Sequence, residues 1–274
     1  LVKEAREREC LASVMTFDPH PRLVLNKDPQ LLRLLNTQEE KARKMEALGL
    51  DLLFVVPFDR EFSNQTALEF LERLVLQLGV VHLVIGYNHR FGKDREGDFD
   101  FLLEQSKRLP FTVQEIGRHA LDQMAVSSTK IRMSLEAGDV ALAQMFLGYS
   151  YTLTGKVVHG DRVGRRLGYP TANLEIEDPQ KLIPKSGIYA VHAQVDGTWF
   201  KSMAYIGPRP TLHPTGPSVV EVHVLDYQGD LYGKELCIRF LSRLRDDRKF
   251  ESLEELQAQI RLDESKTRLY FDKP

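Results

Sequence analysis

The chain changes rhythm once, near Tyr149 to Thr154, and that change constrains the fold more than any single motif. Ahead of it, "SVMTF" (Ser13 to Phe17), "DLLFVV" (Asp51 to Val56) and "VVHLVIG" (Val80 to Gly86) are short apolar runs rich in β-branched residues. Such runs read as strands buried on both faces of a parallel sheet. Helical stretches fill the gaps. Thr37 with Glu40 and Thr66 with Glu69 have capping-box spacing, and the helices they open end at Gly49 and Gly79, a residue that enters the left-handed conformation of a helix end without strain. Repeated strand, helix, strand units predict a doubly wound α/β sheet, with its ligand crevice at the carboxyl ends of the strands. "LVKEAREREC" reads as a helix already in progress, so residues are expected ahead of Leu1.

Behind the change the period becomes two. "GIYAVHAQV" and "TWFKSMAYI" flank Asp196 and Gly197, a pair suited to a two-residue hairpin turn. "VVEVHVL" alternates, placing Val220, Val222 and Val224 on one face and Glu221, His223 and Leu225 on the other. Ser252 and Glu255 begin an amphipathic helix that runs to about Tyr270. The reading is an antiparallel barrel or sandwich with a C-terminal helix. At 274 residues the chain has room for two cores, divided as 1–150 and 151–274.

Composition excludes several function classes. With 42% hydrophobic and 28% charged residues the chain reads as globular, and no apolar run is long enough to span a bilayer. A net charge of -2 gives no overall positive field for nucleic acid, and no aromatic-and-basic run offers bases a stacking surface. Cys10 and Cys237 are far apart and have no histidine at ligand spacing, which argues against a disulfide framework or zinc and for the cytoplasm.

Polar segments follow the predicted strands. "DPHPRLVLN" follows the first, where His20, between two prolines, is ambiguous, with a surface-loop histidine the slightly preferred reading. "YNHRFGKDREGD" follows the third, and its Asn88, His89, Arg90 and Lys93 fit either a ligand loop at the strand end or a solvated charged loop. After "FTVQEI" (Phe111 to Ile116), Ser127, Ser128 and Thr129 precede a helix whose first turn carries Lys130 and Arg132. Positive charge there opposes the helix dipole, at a cost that a bound triphosphate would remove; the plainer reading is an N-cap.

In the second half, "GYPTAN" follows "VVHGDRVGRRLG". Proline fixes one backbone angle, while Thr171 and Asn173 offer short oxygens that reach a metal ion or a phosphate. Gly160, Gly164 and Gly168, with Arg165 and Arg166, either wrap phosphates or form a surface loop. Glu221 is either an exposed strand carboxylate or a general base.

Taken together, "GKVVHGDRVGRRLGYPTANL", "GIYAV", "IGPRPTL", "EVHVLDYQGDLYGKEL" and "FLSRLRDDRKFESLEELQAQI" resemble the bacterial riboflavin kinase module, over Gly155 to the C-terminus. "TFDPHP", "GYNHRFGKDREGD" and "VSSTKIR" resemble the adenylyltransferase module fused ahead of that kinase in bifunctional FAD synthetases. The resemblance implies an α/β nucleotidyltransferase-like domain followed by a β-barrel kinase domain. It also implies phosphorylation of riboflavin by ATP with Mg²⁺ to FMN, then adenylylation of FMN by a second ATP to FAD and pyrophosphate. Thr171 and Asn173 would hold Mg²⁺ and the nucleotide phosphates, Gly160, Arg165 and Gly168 the nucleotide, and Glu221 would be the base. Arg245 and Asn88 would contact flavin, Asn88 also nucleotide, and Ser127, Ser128, Thr129 and Arg132 the second ATP.

The family's first strand and its paired-histidine motif are expected ahead of Leu1. Tyr205 stands where an asparagine often precedes "IG", and Pro208 where the family is often polar. Two further readings keep both folds: a riboflavin kinase with an inactive first domain, and a non-catalytic flavin- or nucleotide-binding regulator.

Overall fold

The computed structural model describes residues 1–25, 32–117, 127–160, 163–208 and 218–272. The chain forms two compact units, Leu1–Ala125 and Val126–Pro274.

The first unit contains two parallel strand pairs. β1 (Ser13–Asp18) runs beside β2 (Leu52–Pro57), and β3 (His82–Gly86) beside β4 (Thr112–Ile116). Both capping boxes form. The Glu40 amide donates to Thr37 Oγ1 at 3.2 Å and the Thr37 amide to Glu40 Oε2 at 3.1 Å, opening the helix Gln38–Ala47; Thr66 and Glu69 repeat the arrangement before Ala67–Glu72. Gly49 and Gly79 have φ of +82° and +69°, as helix-ending glycines should. A small core gathers Leu71, Val75, Leu102 and Phe111, with Leu83, Ile85 and Phe91 packed against it.

The expectation of strands buried on both faces is corrected here. Most residues of these strands are half-buried, and Leu52 and Val55 are exposed. Among the described residues each strand has one hydrogen-bonded neighbour, so each keeps an open edge.

The strands of the second unit are β5 (Thr152–Val158), β6 (Ala172–Glu175), β7 (Gly187–Val195), β8 (Thr198–Gly207), β9 (Val219–Val224) and β10 (Glu235–Arg245). They form a closed antiparallel barrel in the order β10, β5, β6, β9, β8, β7. Asp196 and Gly197 take φ of +46° and +84° and make the predicted tight hairpin. Val220, Val222 and Val224 point into the barrel with Ala204, Ile206 and Ile238, while Glu221 is half-buried on the other face. Leu225 departs from the alternation: β9 ends at Val224, and the chain turns through Asp226 (φ +59°), so Leu225 is buried.

The C-terminal helix, Leu253–Phe271, is capped by Ser252, whose hydroxyl accepts from the Glu255 amide at 3.1 Å. Asp263, 1% exposed at its side chain, fastens that helix to β10 through Arg245. The helices Ser128–Ala137 and Val140–Leu147 also belong to the second unit; they bury Leu135, Val140 and Ala143, and the Lys185 amide donates to the Leu135 carbonyl at 3.0 Å.

Candidate active site

"GYPTAN" joins the one-turn helix Val163–Arg166 to β6. Gly168, with φ of +87°, makes the turn between them, a conformation other residues resist. The Tyr169 amide closes the turn on the Gly164 carbonyl at 2.8 Å, and Pro170 presents its carbonyl to the His223 ring at 2.8 Å. Thr171 and Asn173 are thereby fixed at the start of an antiparallel ladder with β9.

That ladder places Asn173 directly opposite Glu221. Paired residues point to the same face, so an amide and a carboxylate meet there. The Thr171 hydroxyl donates to Glu221 Oε2 at 3.0 Å, which turns its lone pairs away from the carboxylate. The Asn173 side chain makes no hydrogen bond among the described residues, and it lies so close to Gly160 that a Cβ added there would stand 2.4–2.7 Å from the amide.

Thr171 and Asn173 line a cavity of about 300 Å³ together with Gly160, Arg165 and Pro170. Its opposite wall is the segment 227–232, including Tyr227, Asp230 and Tyr232. The Tyr232 ring packs 4.1 Å from that of His159. The cavity is polar where the motif enters and aromatic opposite, a shape that suits a phosphate-bearing ligand with a flat ring.

The sheet continues the row past Glu221. Glu221 stands opposite Tyr205 on β8, Tyr205 opposite Ile188 on β7, and Ile188 opposite Arg245 on β10. Arg245 is heavily engaged: Nε and Nη2 donate to Asp263 at 2.7–3.0 Å, and Nη1 donates to the Asp246 carbonyl at 2.8 Å. Three of its five N–H donors are so used. Burial, followed by the carboxylates of Asp247 and Glu221, pushes the Tyr205 phenol well above its ordinary value.

The remaining predicted residues are not members of this row. Ser127 is the N-cap of Ser128–Ala137, its hydroxyl accepting from the Lys130 amide at 3.2 Å; Ser128 and Thr129 are exposed in the first turn and Arg132 is half-buried. Asn88 is exposed in the turn after β3, within the first unit, beside an Arg90–Asp98 ion pair. Three features escaped sequence reasoning: the 227–232 wall, His223 as the support of Pro170, and Asp263 as the partner of Arg245. Alternation had put His223 on the Glu221 face, but no local signal names β6 as the neighbouring strand.

Residues 147–271 match the family model described as riboflavin kinase, and residues 1–130 the one described as FAD synthetase. Those two matches define the class, enzymes that transfer phosphate-containing groups. A bifunctional riboflavin kinase/FMN adenylyltransferase of Listeria monocytogenes is 36% identical, over 100% of this chain and 88% of its own length. Proteins of the same description from Pseudomonas fluorescens (37%, covering 91% and 79%) and Bacillus subtilis (34%, covering 97% and 84%) are similar. A solved structure described as a macrolide-efflux protein from Streptococcus pneumoniae superposes with a TM-score of 0.85 at 30% identity, covering 97% of this chain and 86% of that one. No helix among the described residues is long and apolar enough to cross a membrane. The chain belongs to the bifunctional riboflavin kinase/FMN adenylyltransferase family.

Proposed function

We propose that this chain phosphorylates riboflavin with MgATP to FMN, and adenylylates FMN with a second ATP to FAD and pyrophosphate. The kinase is assigned to 151–274 and the adenylyltransferase to 1–150. The observation that carries the kinase reading is that Thr171 and Asn173, which line one cavity, meet Glu221 across the β6–β9 ladder, with Thr171 and Glu221 hydrogen-bonded at 3.0 Å.

Glu221 accepts the proton of the terminal ribityl hydroxyl, and the freed oxygen bonds to the γ-phosphorus as the bond to ADP breaks. Gly160, Arg165 and Gly168 hold the nucleotide: the absent side chain at Gly160 leaves room, and the Arg165 guanidinium matches phosphate oxygens. Mg²⁺ fits the donors present, because the Thr171 hydroxyl and the uncommitted Asn173 amide oxygen are hard ligands of the kind it takes beside phosphates. When bound, the ion neutralises phosphate charge. Arg245, with two N–H groups to spare, borders the flavin.

For adenylyl transfer, Ser127, Ser128, Thr129 and Arg132 contact the ATP phosphates through hydroxyls, helix amides and a guanidinium. Asn88 contacts nucleotide and flavin, and the FMN phosphate is the nucleophile. Cys10 and Cys237 are not joined in a disulfide, which favours the cytoplasm. The deciding experiment is Glu221→Gln, assayed by chromatography of flavin products. FMN formation should slow by a factor on the order of 10²–10⁴ while riboflavin binding survives; a parallel loss of binding would make Glu221 a flavin anchor instead.

A further inference from the structure

Beside Glu221 the barrel carries a hydrogen-bonding pair that phosphoryl transfer, as described, leaves unused. Tyr205 is the direct cross-strand partner of Glu221, so both side chains leave the same face about 5 Å apart at Cβ. The Tyr205 ring lies over Gly207: a Cβ added there would fall 2.0 Å from the phenol oxygen, so a glycine makes room for the ring. Its hydroxyl donates to Asp247 Oδ2 at 3.3 Å. Asp247 Oδ1 has no hydrogen-bond partner among the described residues, and both side chains are half-buried. With its proton held toward Asp247, the phenol oxygen keeps its lone pairs for another donor.

Two acceptors beside Glu221 are therefore open to a ligand: the Tyr205 oxygen and Asp247 Oδ1. A chain carrying several hydroxyls satisfies both. A plain alkyl chain would bury both unpaired, a penalty that rejects such a ligand more strongly than a poor apolar fit does. We propose that Tyr205 and Asp247 bind the secondary hydroxyls of a sugar-alcohol chain whose terminal hydroxyl meets Glu221, making Tyr205 a specificity-determining residue. This rests on the reading of Glu221 as the base.

The test uses the intact protein and two flavins, riboflavin and an analogue whose N10 substituent is an unbranched 5-hydroxypentyl chain. The analogue keeps the terminal hydroxyl and lacks the secondary ones. Tyr205→Phe should raise KM for riboflavin by about fivefold to tenfold, the loss of one hydrogen bond. It should leave KM for the analogue within about twofold, with kcat for both within about threefold. The effects of ring substitution and hydroxyl removal would then be non-additive, as for groups in contact. An equal rise for both flavins, or a fall in kcat alone, overturns the proposal. Asp247→Asn, which keeps an acceptor for the phenol proton, should narrow the same selectivity. If Tyr205→Phe does not fold, unchanged selectivity in Asp247→Asn refutes the pair. Glu221→Gln, run alongside, separates the two readings: a parental kcat there removes the base and this proposal together, whereas a slow Glu221→Gln with unchanged selectivity in the other variants removes this proposal alone.

Discussion

Deleting the Asp263 carboxylate should cost this protein more stability than most single substitutions. Asp263 is 1% exposed, and its oxygens receive Nε and Nη2 of Arg245 at 2.7–3.0 Å and the Gln259 amide at 2.9 Å. The Arg245 side chain is itself only 16% exposed. Asp263→Ala leaves that guanidinium buried without a counter-charge, a change worth about 3–5 kcal/mol. For a unit the size of Val126–Pro274 each kcal/mol moves the midpoint by about 2–4 °C, so this second unit should melt about 6–20 °C lower in differential scanning calorimetry. The double variant Arg245→Met, Asp263→Leu should recover most of the loss, because a buried ion pair replaced by apolar groups of similar volume is often neutral. A shift below 2 °C in the single variant, or a double variant no more stable than the single, would refute the view that an uncompensated charge is the cause.

Asn173→Ala should cut FMN formation sharply at fixed Mg²⁺, read as initial rate by chromatography of the flavins; a parental rate would remove Asn173 from the metal site. Gly160→Ala should do the same by pushing the Asn173 amide aside, since its Cβ would lie 2.4 Å from that amide; nucleotide titration should show weaker ATP binding. His192 stacks on Phe271 at 4.9 Å, and burial, then Arg239 and Lys201, hold its imidazole below the ordinary value. The neutral form is favoured on folding, so this stability is full above about pH 6.5 and is lost as pH falls toward the lower folded value. Melting of His192→Gln across that range should show a shallower acid decline than the parent. A fragment beginning at residue 126 should melt higher than one beginning at 150, because the shorter one loses the buried Leu135, Val140 and Ala143; equal midpoints would show that those helices contribute nothing to the barrel.

Local chemistry was the part of the fold written most plainly in the chain. Thr37, Thr66 and Ser252 cap where hydroxyl and glutamate spacing put them, and Asp196 with Gly197 turns where two-residue hairpins require positive φ. The change of period near Tyr149 separated parallel units from the barrel because each sheet type imposes its own alternation. Pairing between distant strands was not legible. That β6 lies between β5 and β9 brings Asn173 to Glu221 across 48 residues of sequence, and nothing local to either residue encodes it. The same holds for Tyr205 against Glu221 and for Asp263 against Arg245, where a surface-looking carboxylate in an amphipathic helix turns out to be buried. The site's motif was therefore readable, and its walls were not.

The most direct measurement follows riboflavin through both reactions. The intact protein, given riboflavin, ATP and Mg²⁺, should produce FMN first and then FAD, with one pyrophosphate released for each FAD, as resolved by chromatography of the flavins over time. Glu221→Gln should stall the sequence before FMN yet convert added FMN to FAD at the parental rate. A parent protein that binds riboflavin and ATP but forms no FMN would contradict the assignment of the Thr171, Asn173 and Glu221 site to phosphoryl transfer.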